Sequence, residues 1–154
     1  MQKAESLGVQ HNPVNLVVIT SALPGEGKTF VSINLALTMA TEMDRTVLLI
    51  DGDPAKSDVC RVLNIEPRRG LTEVLDSGGQ HIDDAILKTS VGDLALLPSG
   101  PRLPNTDELF SSELTRRVTR QLAEADLTRI VLIDAPPLLA STERPHWHVW
   151  PVRS

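Results

Sequence analysis

The stretch from Thr20 to Thr29 combines a glycine-rich loop with a terminal Lys-Thr pair. In such a loop, backbone N–H groups and the first turn of the following helix converge on phosphate oxygens. Gly25 and Gly27 let the backbone approach a ligand closely and adopt dihedral angles that other residues resist. The spacing predicts that Lys28 reaches the β- and γ-phosphates of a nucleotide and that the Thr29 hydroxyl binds Mg²⁺.

ATP and Mg²⁺ are therefore the predicted cofactors. The expected nucleotide contacts are consecutive residues of the loop and of the helix start: Pro24, Gly25, Glu26, Gly27, Lys28, Thr29 and Phe30. Ala22 stands where the usual phosphate-loop pattern has its first glycine. The alternative interpretation is a Gly/Pro turn before a helix, with the lysine in solvent.

Acidic residues follow two further apolar runs. Asp51 and Asp53 come after one run, and Asp134 ends a later one. Such runs are typical of strands buried on both faces, and ligands of open α/β sheets bind at the carboxyl ends of strands. We expect metal ligands at Thr29, Asp51 and Asp134. The expected catalytic residues are one lysine and three acids: Lys28, Asp51, Asp53 and Asp134. A strand-terminating Asp-Gly turn is the alternative for the first two acids.

Apolar periodicity predicts the elements that position these residues. Strands are expected at 15–20, 46–50, 93–98 and 129–134, and helices at 28–43, 58–63, 71–75, 82–87 and 105–125. Strands that alternate with helices predict an α/β P-loop NTPase fold. We expect a mostly parallel sheet that is flanked by helices on both faces and is incomplete at its C-terminus.

Composition narrows the class of protein. The chain has 154 residues and a formal net charge of −5, and it lacks the basic block that would favour nucleic acid as a partner. Its one cysteine, Cys60, suits a reducing compartment. The sequence has neither a long apolar span nor a signal peptide pattern. These features predict a cytoplasmic location.

Three segments are expected along the chain. Residues 1–14 are a polar lead-in, and residues 15–140 form a partial P-loop ATP-binding domain. Residues 141–154 hold both tryptophans and two of the four histidines without clear periodicity. We interpret this last segment as an atypical tail, produced by truncation or by a shifted reading frame.

Four motifs together resemble the bacterial protein-tyrosine kinases (BY-kinases). They are the segments Ser21–Thr29, Leu48–Asp53, Leu97–Gly100 and Ile133–Pro137. The resemblance implies a cytoplasmic autokinase of capsule or exopolysaccharide export that transfers phosphoryl from Mg-ATP to tyrosine. It also implies phosphate and Mg²⁺ contacts for the Lys-Thr pair, a Walker B role for Asp134, and a base for the tyrosine hydroxyl at one of the two earlier acids.

The resemblance further implies partners. These are a membrane-embedded chain-length or co-polymerase protein, which recruits the kinase to the inner face of the plasma membrane, and other copies in a homo-oligomer. Ala55 stands where the related kinases often carry arginine, with Lys56 next. The chain contains no tyrosine, so it cannot be its own tyrosine substrate.

Two alternatives remain open. One is a partition or septum-site ATPase (ParA/MinD-like), although such proteins place lysine and glycine where Leu23 and Pro24 stand here. The other is a non-catalytic ATP-binding module that regulates a membrane partner. The missing tyrosines favour the module, whereas the combined motifs favour the kinase.

Overall fold

The computed structural model describes residues 13–43, 45–66 and 69–137. Most of the predicted lead-in and all of the predicted tail lie outside these residues. The strands are β1 (Leu16–Ile19), β2 (Val47–Asp51), β3 (Leu87–Lys88), β4 (Leu94–Leu97) and β5 (Ile130–Asp134). The helices are α1 (Lys28–Thr41), α2 (Asp58–Val62), α3 (Leu71–Asp76), α4 (Ile82–Ala85), α5 (Thr106–Phe110) and α6 (Glu113–Ala125).

One sheet contains the strands in the order β1-β5-β2-β4-β3. All neighbouring strands pair in parallel except β3, which runs antiparallel to β4. The last strand of the described residues, β5, thus lies between β1 and β2. The carboxyl ends of β1, β5 and β2 consequently lie side by side at one edge of the sheet.

Helices cover both faces of this sheet. On one face, α1 and α2 pack on strand residues such as Leu49 and Leu132, while α3 to α6 pack on Ile50 and Ile133 on the other. Every residue of β2 is buried. A strand covered on both sides has no solvent-facing positions, which explains its unbroken apolar run. The predicted α/β fold class with helices on both faces is confirmed.

The helix predicted over 105–125 is wrong as a single element. Two helices, α5 and α6, are separated at Ser111 and Ser112. The Ser112 backbone is extended, and its hydroxyl donates to the Leu109 carbonyl at 2.6 Å. The Ser111 hydroxyl donates to Asp107 O at 2.8 Å. Such side-chain bonds to the backbone compete with helix continuation.

The predicted helix over 82–87 is too long. Helix α4 ends at Ala85, and Leu87 and Lys88 instead form β3 opposite Leu96 and Ala95. A short apolar run does not distinguish a helical turn from a strand, because the available pairing partner decides between them. Helix α1 also ends at Thr41, two residues earlier than predicted.

The helices are short. The longest, α1 and α6, have 14 and 13 residues. Among the described residues, none combines the length and the apolar character that crossing a lipid bilayer requires.

Candidate active site

The glycine-rich loop connects the end of β1 to the start of α1. Gly25 and Gly27 both have φ of +80°, in the left-handed region. A Cβ atom at either position would meet no heavy atom within 4 Å. The predicted need for an unusual backbone conformation is therefore confirmed at both glycines.

A carboxylate within the loop helps to hold its shape. Glu26 Oε2 accepts hydrogen bonds from the backbone N–H groups of Ala22, at 3.0 Å, and Leu23, at 3.2 Å. The Ser21 hydroxyl donates to the Leu23 carbonyl at 2.8 Å. The Glu26 side chain thus satisfies donors at the start of the loop, which is a contact that the motif alone does not predict.

Lys28 lies between two of the predicted acids. Its Nζ atom is 3.1 Å from Asp134 Oδ1 and 3.6 Å from Asp53 Oδ2. The closer contact is an ion pair without hydrogen-bond geometry. All three side chains are at most 7% exposed, so water screens their charges little. The lysine at the start of α1 therefore joins the ends of β2 and β5.

The Asp134 carboxylate is the centre of the site. Thr29 Oγ1 donates to its Oδ2 at 2.8 Å, and Ser32 Oγ donates to its Oδ1 at 2.9 Å. Ser32 was not among the predicted site residues. It could have been found, because it lies one helical turn beyond Lys28 and therefore on the same face of α1.

Asp51 lies next to Asp134 across the paired strands β2 and β5. Its Oδ1 accepts the Asp53 backbone N–H at 3.2 Å, whereas its buried Oδ2 has no hydrogen-bond partner among the described residues. Burial raises the pKa of this carboxyl to about 7, and the charges of Asp134 and Asp53 add to the rise. Lys28 and the Asp53 N–H oppose the rise in this pKa without cancelling it.

A cavity of about 240 Å³ opens beside the loop. Its lining includes each of the predicted nucleotide contacts except Glu26. Further residues complete the wall: Ser21, Asp53, Lys56, Asp58 and Pro137. Asp58 and Pro137 were not among the predicted site residues. Pro137 belongs to the Ile133–Pro137 motif, whereas nothing in the local sequence indicates that the fold brings Asp58 to this edge. The Phe30 side chain is 68% exposed at the cavity's border.

The residues present fit a magnesium ion held together with a nucleotide. The hydroxyl of Thr29 and the carboxylates of Asp51 and Asp134 are hard oxygen ligands, and the unpartnered Asp51 Oδ2 is a free acceptor. Within the described ranges, no group of three or more His, Cys, Asp or Glu residues is arranged to hold a metal ion by itself. Mg²⁺ typically keeps several waters and takes further ligands from phosphates, so a partial protein site suits it.

Proteins of similar sequence are tyrosine kinases. The chain is 36% identical over 129 residues to the tyrosine-protein kinase ptk of Acinetobacter johnsonii, a match covering 84% of this chain and 17% of that protein. It is 38% identical over 124 residues to the tyrosine-protein kinase YwqD of Bacillus subtilis, covering 80% of this chain and 51% of that protein. The chain therefore corresponds to about half or less of these relatives' lengths.

Solved structures show the same relationship. The kinase domain of the Escherichia coli tyrosine kinase ETK matches with a TM-score of 0.74 and 28% identity, covering 92% of this chain and 54% of that one. The septum site-determining protein MinD of Pyrococcus horikoshii, complexed with Mg-ADP, matches with a TM-score of 0.68 and 27% identity, covering 80% and 49%. The second match shows that septum-site ATPases share the fold.

The parallel sheet and the loop at its carboxyl edge define a P-loop nucleotide-binding protein. A profile of the AAA domain family matches residues 14–145. The chain belongs to the AAA domain family, and within it the resemblance to bacterial tyrosine kinases is confirmed.

Proposed function

We propose that this chain binds Mg-ATP at the loop of residues 22–29 and transfers the γ-phosphoryl group to a tyrosine hydroxyl. Because these 154 residues contain no tyrosine, the acceptor lies outside them. The products are ADP and a phosphotyrosine, and the hydroxyl proton passes to a carboxylate of the site. The reaction is that of a bacterial-type, non-specific protein-tyrosine kinase.

One observation carries the proposal. A buried lysine at the start of α1 contacts acids at the ends of two strands, beside a phosphate-type loop. Phosphoryl transfer needs this combination, because its catalysis depends on positioning and on neutralising negative charge. The tyrosine kinases of similar sequence support the choice of acceptor.

The residues around Asp134 take the roles of binding and orientation. Lys28 would turn from the acids to the β- and γ-phosphates. Thr29, Asp134 and Asp51 would hold Mg²⁺, which supplies charge neutralisation for the phosphoryl group when it is bound. The N–H groups of the loop and of the α1 N-terminus would bind phosphate oxygens.

Asp53 is the residue that we assign as the base. Its side chain lines the cavity, so a tyrosine hydroxyl that enters the cavity can reach it. Asp51 is fully buried and is absent from the cavity wall, so a tyrosine hydroxyl in the cavity would reach Asp53 first. The ion pair between Lys28 and Asp53 would have to open as the lysine moves to phosphate, which frees Asp53 to accept a proton.

The partners that we propose follow from the family resemblance. The acceptor tyrosine would lie on a neighbouring subunit or on a separate substrate, in keeping with a homo-oligomer. The kinase would act in the cytoplasm, recruited to the inner face of the plasma membrane by a polysaccharide chain-length or co-polymerase protein. Its phosphorylation would regulate exopolysaccharide biosynthesis or export. The net charge of −5 gives no support for nucleic acid as a partner.

A transfer assay tests the proposal. The purified chain is incubated with Mg-ATP labelled at the γ-phosphate and with a synthetic copolymer of glutamate and tyrosine. We expect incorporation by the wild type, a loss of at least about 100-fold in Lys28→Met, and full activity in the control Arg117→Met, whose side chain is exposed on α6. A folded wild type that transfers no phosphate, or equal transfer by Lys28→Met, would overturn the kinase assignment.

The alternative function is a nucleotide-dependent binding module or a ParA/MinD-like ATPase. MinD shares the fold of this chain, which keeps the ATPase as an alternative. The same assay separates the cases when free phosphate and bound nucleotide are also measured. Binding without phosphate release would indicate the module, and release to water without transfer to tyrosine would indicate the ATPase.

A further inference from the structure

Ser32 is a buried polar residue that the proposed mechanism leaves without a role. It has no exposed surface. Its Oγ atom is 2.9 Å from Asp134 Oδ1 and 3.0 Å from the Lys28 carbonyl oxygen. A hydroxyl has a single hydrogen, so these two acceptors compete for it. The carboxylate is the stronger acceptor because a hydrogen bond to a charged group is shorter and stronger.

Two other side chains contact Asp134, and both would bind the Mg-nucleotide. Lys28 Nζ and the Thr29 hydroxyl both contact this carboxylate. On the proposed function, Lys28 moves to phosphate and Thr29 turns to the metal. Of the three side chains that contact Asp134, Ser32 is the one with no ligand to move to.

The orientation of Asp134 depends on such a contact. Pairing of β5 with β1 and β2 fixes the backbone at this position, but it does not fix the rotation of the side chain. Asp51 lies opposite on the paired strand, and a negative charge there would repel the carboxylate. A hydroxyl from α1 therefore holds the carboxylate against that repulsion.

We propose that Ser32 is a positioning residue that keeps Asp134 oriented when Lys28 and Thr29 engage Mg-nucleotide. It thereby couples magnesium to nucleotide affinity. The inference rests on the proposed function, because it assigns the carboxylate to the metal. Ser32 would not bind the metal itself. It would hydrogen-bond to the metal ligand Asp134, and such bonds set the orientation of a ligand.

The test compares ATP affinity with and without magnesium, measured by isothermal titration calorimetry. The variants are Ser32→Ala, which removes the hydroxyl, and Ser32→Cys, which keeps the shape with a weaker donor. The matched control is Thr119→Val, because Thr119 is also fully buried and also bonds a carbonyl one turn earlier, at 2.9 Å. It lies on α6, away from the site.

We expect Ser32→Ala to lose at least about tenfold of the magnesium-dependent gain in affinity, which is the usual size of such effects. Its affinity in EDTA should stay within about twofold of the wild type, because the phosphate contacts are unchanged. The magnesium-dependent gain in affinity of Ser32→Cys should lie between those of the wild type and Ser32→Ala. If the alanine variant fails to fold, the cysteine variant provides the test. Thr119→Val should match the wild type in both buffers.

Two results would overturn the role of Ser32 while leaving the proposed function in place. One is wild-type magnesium coupling in both variants. The other is a proportional loss of affinity in EDTA and in magnesium, which would show a purely structural role. A folded wild type that binds no ATP in either buffer would overturn the proposed function and this inference with it.

Discussion

Helices α1 and α6 have similar local hydrogen bonding but different roles. Each buries a hydroxyl within hydrogen-bond distance of the carbonyl one turn earlier, Ser32 Oγ at 3.0 Å from Lys28 O and Thr119 Oγ1 at 2.9 Å from Thr115 O. The Thr119 hydroxyl finds its second acceptor in its own helix, at Arg116 O. The Ser32 hydroxyl finds its second acceptor on β5. The same local chemistry becomes part of a site only where a helix starts at the carboxyl edge of the sheet.

The charged residues of the two helices differ in the same way. On α1, Lys28 contacts acids on two strands and is 7% exposed. On α6, Arg116 has its ion-pair contact with Glu113 of the same helix, at 4.0 Å. The Arg116 contact is at the limit of ion-pair distance and its glutamate is 69% exposed, so it contributes little to stability, whereas Lys28 depends on two buried partners. The comparison indicates that α1 matters to the site because its lysine is buried between acids at the strand ends, and not merely because it carries a charge.

The largest effect should come from the α1 lysine. Lys28→Met leaves Asp53 and Asp134 without their shared cation, so it should lower the free energy of unfolding by about 3–5 kcal/mol. Arg117→Met on α6 should change it by less than about 0.5 kcal/mol, because that side chain is exposed. Urea unfolding at pH 8 in EDTA measures both. Similar losses from the two variants would refute the contrast.

A pH series compares the acids near the two helices. Because burial raises the pKa of Asp51 to about 7, the folded state binds its proton more tightly than the unfolded state does. Stability from this group is complete below its ordinary pKa and is lost as pH rises to about 7. Asp51→Asn should therefore become more stable than the wild type as the pH rises through that window, by about 4 kcal/mol above it, because each pKa unit corresponds to about 1.4 kcal/mol.

For Asp126, which follows α6, we expect the opposite dependence of stability on pH. The hydrogen bond from the Thr128 side chain lowers the pKa of its carboxyl. Its contribution is present above its ordinary pKa and is lost as the pH falls through the lowered value. Asp126→Asn should thus be slightly less stable than the wild type at neutral pH and equal to it in strong acid. Melting temperatures across the pH range in EDTA test both variants, and a pH-independent gain for Asp51→Asn would contradict the account from burial.

Two glycines, one at each helix, extend the comparison between α1 and α6. Gly27 caps α1 at φ of +80°, and a Cβ there meets open space. Gly79 has φ of +92°, and its Cβ would lie 3.2 Å from Val118 Cγ2 of α6. Gly27→Ala should cost about 1–2 kcal/mol from backbone strain alone, and Gly79→Ala should cost more. Only Gly27→Ala should weaken ATP binding, which calorimetry on both variants would establish.

The smallest effect should be the coupling of Ser32 to Asp134 in the ligand-free chain. A double-mutant cycle with Ser32→Ala and Asp134→Asn should give a coupling of about 1 kcal/mol, as expected for residues in one hydrogen-bond network. The matched cycle with Thr119→Val and Asp134→Asn should give none within about 0.5 kcal/mol, because the two residues share no partner. Equal coupling in the two cycles would remove the distinction between the helices.

Local patterns predicted much of the fold. The buried runs of β2 and β5 and the glycine-lysine-threonine junction are visible in the sequence because each is a local property. The break between α5 and α6 was missed because the hydroxyls of Ser111 and Ser112 act on carbonyls of the preceding turn. The strand at Leu87 was missed because its partner lies on β4 and cannot be recognised from the run itself.

By itself, the sequence determined the phosphate-type loop, the left-handed glycines that shape it, and the acids at the strand ends. It determined these because backbone freedom and apolar periodicity act over a few residues. Only the tertiary structure decided which side chains meet. Thr29 and Ser32 reach Asp134 across 105 and 102 residues of chain because β5 inserts between β1 and β2. That strand order depends on packing over the whole sheet, and no local pattern encodes it.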